Sequence, residues 1–126
     1  MKIERAEIHV LRVPFTDGSS GKGLMPTQWT HLDMVLLCLH SDDGAIGWGD
    51  GFAYSCRTAT EAALHDMVLP LVVGQQIDDI DHFCRELIRK LHLQGRFGIT
   101  AFAVSAVDLA LRDLDARRAG VPLAER

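Results

Sequence analysis

The chain opens on an alternation in which Ala6, Ile8 and Val10 fall in one phase and Glu7 and His9 in the other. Residues 1 to 13 therefore read as a half-buried strand, ended by Pro14. The next apolar run, His31 to His40, is hydrophobic in both phases through Val35-Leu36-Leu37-Cys38-Leu39, as a central strand covered on two faces would be. Asp42-Asp43-Gly44 follows as a hairpin turn. In the outgoing strand Ile46, Trp48, Asp50 and Phe52 share one face, while Ala45, Gly47, Gly49 and Gly51 share the other. Three glycines on one face predict that another backbone, a helix or a ligand comes close there.

The period then changes from two to 3.6. Thr58-Ala59-Thr60-Glu61 has the form of a capping box and predicts a helix running to about Leu69, closed by Pro70 and Gly74. Asp78 or Asp79 caps a second helix, whose Ile80, Phe83, Cys84, Leu87, Ile88 and Leu91 form one apolar stripe. After a break at Gly95 to Gly98, a long helix extends from Ile99 or Thr100 to Ala119 and stops at Gly120 and Pro122. Its first half is apolar almost all round and is expected to be enclosed. Phe83 and Phe102 are core positions by the same periodicity. The whole predicts an α+β fold, a three-stranded antiparallel meander followed by a helical bundle.

One segment fits no element. Phe15 to Trp29 holds Asp17-Gly18-Ser19-Ser20-Gly21-Lys22-Gly23 and Pro26, a loop composition. A loop that long is expected to be a lid, a binding loop or disordered chain. Phe15, Leu24, Met25 and Trp29 are apolar enough to cover something. Trp29 and Tyr54 both lie in irregular segments, where aromatic side chains are better binding candidates than in helices.

Composition narrows the classes. At 126 residues the length fits one domain, too short for a barrel of about 250 residues. A net charge of −4 with three lysines leaves no basic face for nucleic acid. No apolar run approaches the roughly 20 residues of a membrane helix, and the N-terminus lacks the apolar core of a signal peptide. A cytoplasmic location is the default expectation. Cys38, Cys56 and Cys84 are too few and too widely spaced for a disulfide framework or a CxxC zinc site.

Candidate chemistry is sparse. Asp78, Asp79, Asp81 and His82 read as a dipole-favoured first turn before they read as a metal cluster. Cys56, beside Arg57 at a helix start, sits where a thiolate is stabilised, but a nucleophile also needs a base within reach. Asp108 lies among apolar neighbours and is expected to pair with Arg112 or with another element. No catalytic residue and no metal ligand is assigned.

Taken in order, the Ile3 to Pro14 strand, the Asp42-Asp43-Gly44 to Gly47-Trp48-Gly49-Asp50 hairpin, the Leu69-Pro70-Leu71 to Gly74 segment before Asp78, and Ser105 to Leu114 running on to Gly120-Val121-Pro122-Leu123 resemble the N-terminal capping domain of the enolase superfamily, in its mandelate racemase and muconate lactonizing branch. The resemblance implies that residues 1–126 are the capping domain of a dehydratase, racemase or cycloisomerase that abstracts a proton alpha to a carboxylate of an acid or acid sugar. It implies Mg²⁺ for the full-length enzyme, held with the catalytic bases in a C-terminal barrel absent from this chain. The chain alone is then expected to be inactive and to bind no cofactor itself. Two capping-domain segments that close over the barrel mouth map to Phe15 to Trp29 and Phe52 to Arg57. The implied substrate contacts are Phe15, Met25, Trp29, Tyr54 and Arg57, with the guanidinium facing an anionic group. Asp50 departs from the glutamate usual after Gly-Trp-Gly. The resemblance also implies a homo-oligomer. Two other readings stay open: a stand-alone interaction or oligomerisation module, and a Cys56-dependent enzyme.

Overall fold

The computed structural model describes residues 1–16, 18 and 29–126. Three strands, β1 (Ile3–Pro14), β2 (His31–Ser41) and β3 (Ile46–Gly51), form one antiparallel sheet in the order β1-β2-β3. The expected meander is present with β2 at its centre. The turn between β2 and β3 is held by Asp43, whose carboxylate accepts from the Ser41 hydroxyl and the Ala45 amide. Register follows from that turn: Val35, Leu37 and Leu39 stand opposite Gly51, Gly49 and Gly47, and Val35, Leu37 and Leu39 are fully buried.

Helices cover one face of the sheet. α1 (Arg57–Ala63) passes into a wider π-helical turn over Leu64–Val68 and a 3₁₀ turn over Leu69–Leu71; α2 spans Ile80–Lys90 and α3 spans Ile99–Ala119. α3 lies directly on the glycine face of β3. A Cβ at Gly47 or Gly49 would overlap the backbone carbonyl of Ala110 or Ala106, and one at Gly51 would come to 3.0 Å from Cγ2 of Thr60. Ala103, Ala106 and Ala110 complete the fit from the helix side, each buried. The glycine face thus answers a helix backbone.

The edge of β3 is also served by α3. The Trp48 amide donates to Oδ2 of Asp113 at 2.8 Å, and Arg117 donates to the same oxygen. A carboxylate placed there satisfies an edge N–H that would otherwise be free to pair with another chain. At the opposite side residues 74–77 tie down β1: Ile3 donates to Gln75 and accepts from Gly74, and the N-terminal ammonium donates to the Ile77 carbonyl. The outer face of the sheet, with Leu11, Val13, Leu32, Ile46 and Trp48, stays exposed among the described residues.

Two expectations need correction. The capping box does not form: α1 starts at Arg57 behind Cys56, with no side-chain cap, so Thr58 lies inside the first turn and not at the cap, while the buried Thr60 donates its hydroxyl 2.8 Å to the Phe52 carbonyl. That bond ties the helix to the end of β3 instead of to its own first turn. The first half of α3 is not enclosed all round, since Ser105 is exposed and Ala101 and Phe102 are half-buried. Phe102 leans on the exposed Phe52, ring centroids 4.6 Å apart. Elsewhere the expected devices are present: Asp79 caps α2 through the His82 amide at 2.8 Å, and Gly120 ends α3 in the left-handed conformation. No helix of the described residues is long and apolar enough to cross a membrane.

If β3 is seated this closely, Gly49→Ala should cost about 3 kcal/mol or more, because neither backbone can yield, while Gly51→Ala, facing the end of a side chain, should cost less. Denaturant midpoints at constant slope measure both; equal, small losses would contradict the close approach.

Candidate functional site

At the end of the sheet where β1 stops and α1 starts, the two irregular segments meet. The roots of the first are joined by the Phe15 amide, which donates 2.9 Å to the Thr30 carbonyl. Phe15 packs edge-on against Trp29, centroids 5.5 Å apart, and Trp29 packs edge-on against Tyr54 at 4.7 Å. Three aromatic rings from both segments therefore form one run, in the perpendicular arrangement their quadrupoles favour. Tyr54 is followed by Ser55 at φ 54°, a left-handed conformation rare for a residue with a side chain. It reverses the chain so that Arg57 faces back toward the sheet.

A charged group lies beside the rings. Arg12 of β1 and Asp33 of β2 are cross-strand partners. Alternation from the buried Val35 puts Asp33 on the helix-facing side, one step beyond the apolar core. Nε of Arg12 is 3.3 Å and Nη1 of Arg57 is 3.9 Å from the same atom, Oδ1 of Asp33. That oxygen is buried and has no hydrogen bond; the two arginines lie within ion-pair distance but outside hydrogen-bonding geometry. The Asp33 side chain is 16% exposed, that of Arg57 32% and that of Arg12 52%. Two adjoining hollows open here. One of about 400 Å³ is lined by Arg12, Asp33, Ser55, Arg57 and Thr58 among others. The second, of about 210 Å³, lies among Arg12, Trp29, His31, Asp33 and Tyr54.

Of the residues expected from the sequence, Phe15, Trp29, Tyr54 and Arg57 are thus brought to one cleft, and Met25 lies outside the described residues. Arg12, Asp33 and Ser55 were not foreseen. A signal for Asp33 exists in the sequence: it is a carboxylate in the same phase as Val35, Leu37 and Leu39, where a core strand should carry an apolar residue.

A groove of about 380 Å³ between α2 and α3 is a weaker candidate, because its Asp81, Cys84, Asp108 and Arg112 already bond to one another. Arg112 donates to Asp108 at 3.1 Å, as expected, and also to Asp81 at 2.6 Å. The Cys84 thiol donates to Asp108, and burial followed by the nearby Asp108 charge pushes its pKa up to about 12, leaving it inert at neutral pH. Cys56 has the Phe52 carbonyl at 3.6 Å and the Thr60 hydroxyl at 3.7 Å, and no histidine bonds to it among the described residues. Among the described residues no base reaches that thiol.

The residues present do not fit a magnesium site. Among the described residues no three histidine, cysteine, aspartate or glutamate side chains converge to hold a metal ion. Asp79 is spent on its helix cap, Asp81 and Asp108 on Arg112, and Asp33 on two arginines.

Comparison with known proteins agrees with this architecture. A family model described as the N-terminal domain of mandelate racemase / muconate lactonizing enzyme matches residues 6–125. An arabinonate dehydratase of Saccharolobus solfataricus is 26% identical over 92 residues, covering 73% of this chain and 25% of the relative. A 3,6-anhydro-alpha-L-galactonate cycloisomerase of Streptomyces coelicolor is 29% identical over 126 residues, covering 96% of this chain and 33% of the relative. The crystal structure of a racemase from Streptomyces coelicolor with bound magnesium superposes with a TM-score of 0.78 at 24% identity, over 93% of this chain and 32% of that one. The chain spans a quarter to a third of the length of these relatives.

With its pKa near 12 against an ordinary 9.0, Cys84 should carry about a thousandfold less thiolate than an unperturbed cysteine. Iodoacetamide at pH 8 followed by peptide mass analysis should therefore leave Cys84 unlabelled after Cys56 has reacted. Equal labelling in the folded chain would contradict the closed Cys84-Asp108-Arg112 network.

Proposed function

Because the chain belongs to the mandelate racemase / muconate lactonizing enzyme family as its N-terminal domain, we propose that residues 1–126 are the substrate-selecting cap of an enolase-superfamily enzyme. The enzyme is a magnesium-dependent dehydratase, racemase or cycloisomerase of the cytoplasm, and it acts on a carboxylic acid or acid sugar by abstraction of an alpha proton. The observation that carries this reading is the convergence of two segments far apart in sequence into one aromatic and cationic cleft.

In that role the cap does not perform the chemistry. Phe15, Trp29 and Tyr54 present apolar ring surface to the carbon side of a bound acid and exclude water from it, with Met25 a fourth contact. Arg57 takes an anionic group, because a guanidinium offers a fork of N–H donors matched to a carboxylate. Proton abstraction and metal binding belong to a C-terminal barrel outside these residues.

The uncovered outer sheet face favours a second reading, an interaction or oligomerisation module. Leu11, Val13, Leu32, Ile46 and Trp48 are each more than a third exposed on one surface, and large apolar side chains left exposed on one face favour an interface there. The two readings are compatible, as a cap must rest on another body.

The purified chain with Mg²⁺ should not turn over acid sugars such as galactonate or arabinonate; turnover abolished by a chelator would contradict the division of labour. Grafting residues 1–126 in place of the matching domain of the Streptomyces coelicolor cycloisomerase should change which acids that enzyme accepts. An unchanged substrate profile in a folded, active chimera would contradict the selecting role.

A further inference from the structure

Resting on that reading of the cleft, we propose that Arg12 and Arg57 act together as one carboxylate clamp, and that Asp33 beneath them is its positioning residue. Arg12 leaves the end of β1 and Arg57 opens α1. Both reach Oδ1 of Asp33, and both line the same hollow of about 400 Å³ with Ser55 and Thr58.

Charge arithmetic sets the class of ligand. Two guanidinium groups against one carboxylate leave one positive charge, which matches a single carboxylate. Hydrogen-bond arithmetic agrees. Arg89, Arg112, Arg117 and Arg126 each donate to a carboxylate at 2.6 to 3.1 Å. Arg12 and Arg57 have no such bond among the described residues, and Oδ1 of Asp33 accepts none. Their attraction to Asp33 is Coulombic, so among the described residues no acceptor takes their N–H donors, which suit a carboxylate from outside.

Asp33 has a role beyond neutralisation. Without its charge, two like-charged side chains drawn toward one point would repel and move apart. The fork geometry that recognises a carboxylate from two sides would be lost. The two roles predict opposite signs for Asp33→Asn, which keeps the shape and raises the local charge by one. A neutralising residue, once removed, leaves anion binding tighter; a positioning residue leaves it weaker.

The test is an amide chemical-shift titration of the ¹⁵N-labelled chain with sodium gluconate at constant ionic strength, with sorbitol as the matched polyol lacking the carboxylate. Gluconate should shift Ser55, Arg57 and Thr58, and sorbitol should not. R12Q and R57Q should each weaken gluconate binding about tenfold or more, as expected for loss of a charge-assisted contact. Asp33→Asn should weaken it severalfold despite the added positive charge, with Asp33→Glu restoring part of the loss. R12K and R57K, which keep charge without the fork, should also weaken it, so the clamp stays testable even if Asp33→Asn does not fold. Tighter or unchanged binding in Asp33→Asn, full binding in the lysine variants, or equal response to sorbitol overturns the clamp. Gluconate shifts at Trp29 and Tyr54 that survive every arginine variant overturn the clamp alone and leave the cleft reading standing. A wild-type chain that does not respond to gluconate overturns both.

Discussion

Everything in this molecule is placed by the contact between the bare face of β3 and the backbone of α3. Gly47 and Gly49 allow no Cβ, because carbonyls of α3 occupy that space. A strand and a helix brought this close leave little freedom of slide or rotation. The helix start then falls beside Phe52, where Phe102 packs, and the strand end is fixed against α1 by the Thr60 bond to the Phe52 carbonyl. Residues 52 to 57 are thus anchored at both ends, and they turn back over the sheet through the left-handed Ser55. Ridge-to-groove packing of large side chains would have kept the helix several ångströms away and moved this segment with it.

From that placement the cleft follows in two layers. The aromatic layer joins Phe15, Trp29 and Tyr54 across the segments. The polar layer joins three elements at one oxygen of Asp33, which extends the inward face of β2 past the point where the apolar core ends at Val35. A carboxylate in that position is costly unless charges face it, and two arginines do. In the Asp81-Arg112-Asp108 network the charges are closed on one another. At the cleft they are left partly open, and that difference is why the cleft rather than the α2–α3 groove is the functional candidate.

Much of this was legible from residue order. The three strands, the hairpin turn, the helix over Ile80–Lys90 capped by Asp79 and the long helix ended by Gly120 follow from periods and punctuation that tertiary structure did not override. The glycine face was readable as a close approach, and the partner is a helix. Local motifs were less secure: Thr58 to Glu61 spells a capping box, yet the helix starts at Arg57, which puts Thr58 inside the first turn. The aromatic members of the cleft were readable because rings in irregular segments lack a core to explain them. Arg12 was not, since an exposed arginine on a strand carries no signal until its cross-strand partner is known. Asp33 was visible only as a break in an apolar phase, and its meaning depends on Arg57 arriving from 24 positions away.

The functional account depends on the two segments sharing one rim, and the contact that embodies it is Trp29 on Tyr54. A double-mutant cycle with Trp29→Phe, Tyr54→Leu and the combined variant, followed by denaturant unfolding, measures that contact apart from the burial of either ring. A coupling of about 1 kcal/mol is expected for an edge-on aromatic pair. Strict additivity of the two losses would mean that the rings do not touch in solution, and the single cleft would be contradicted.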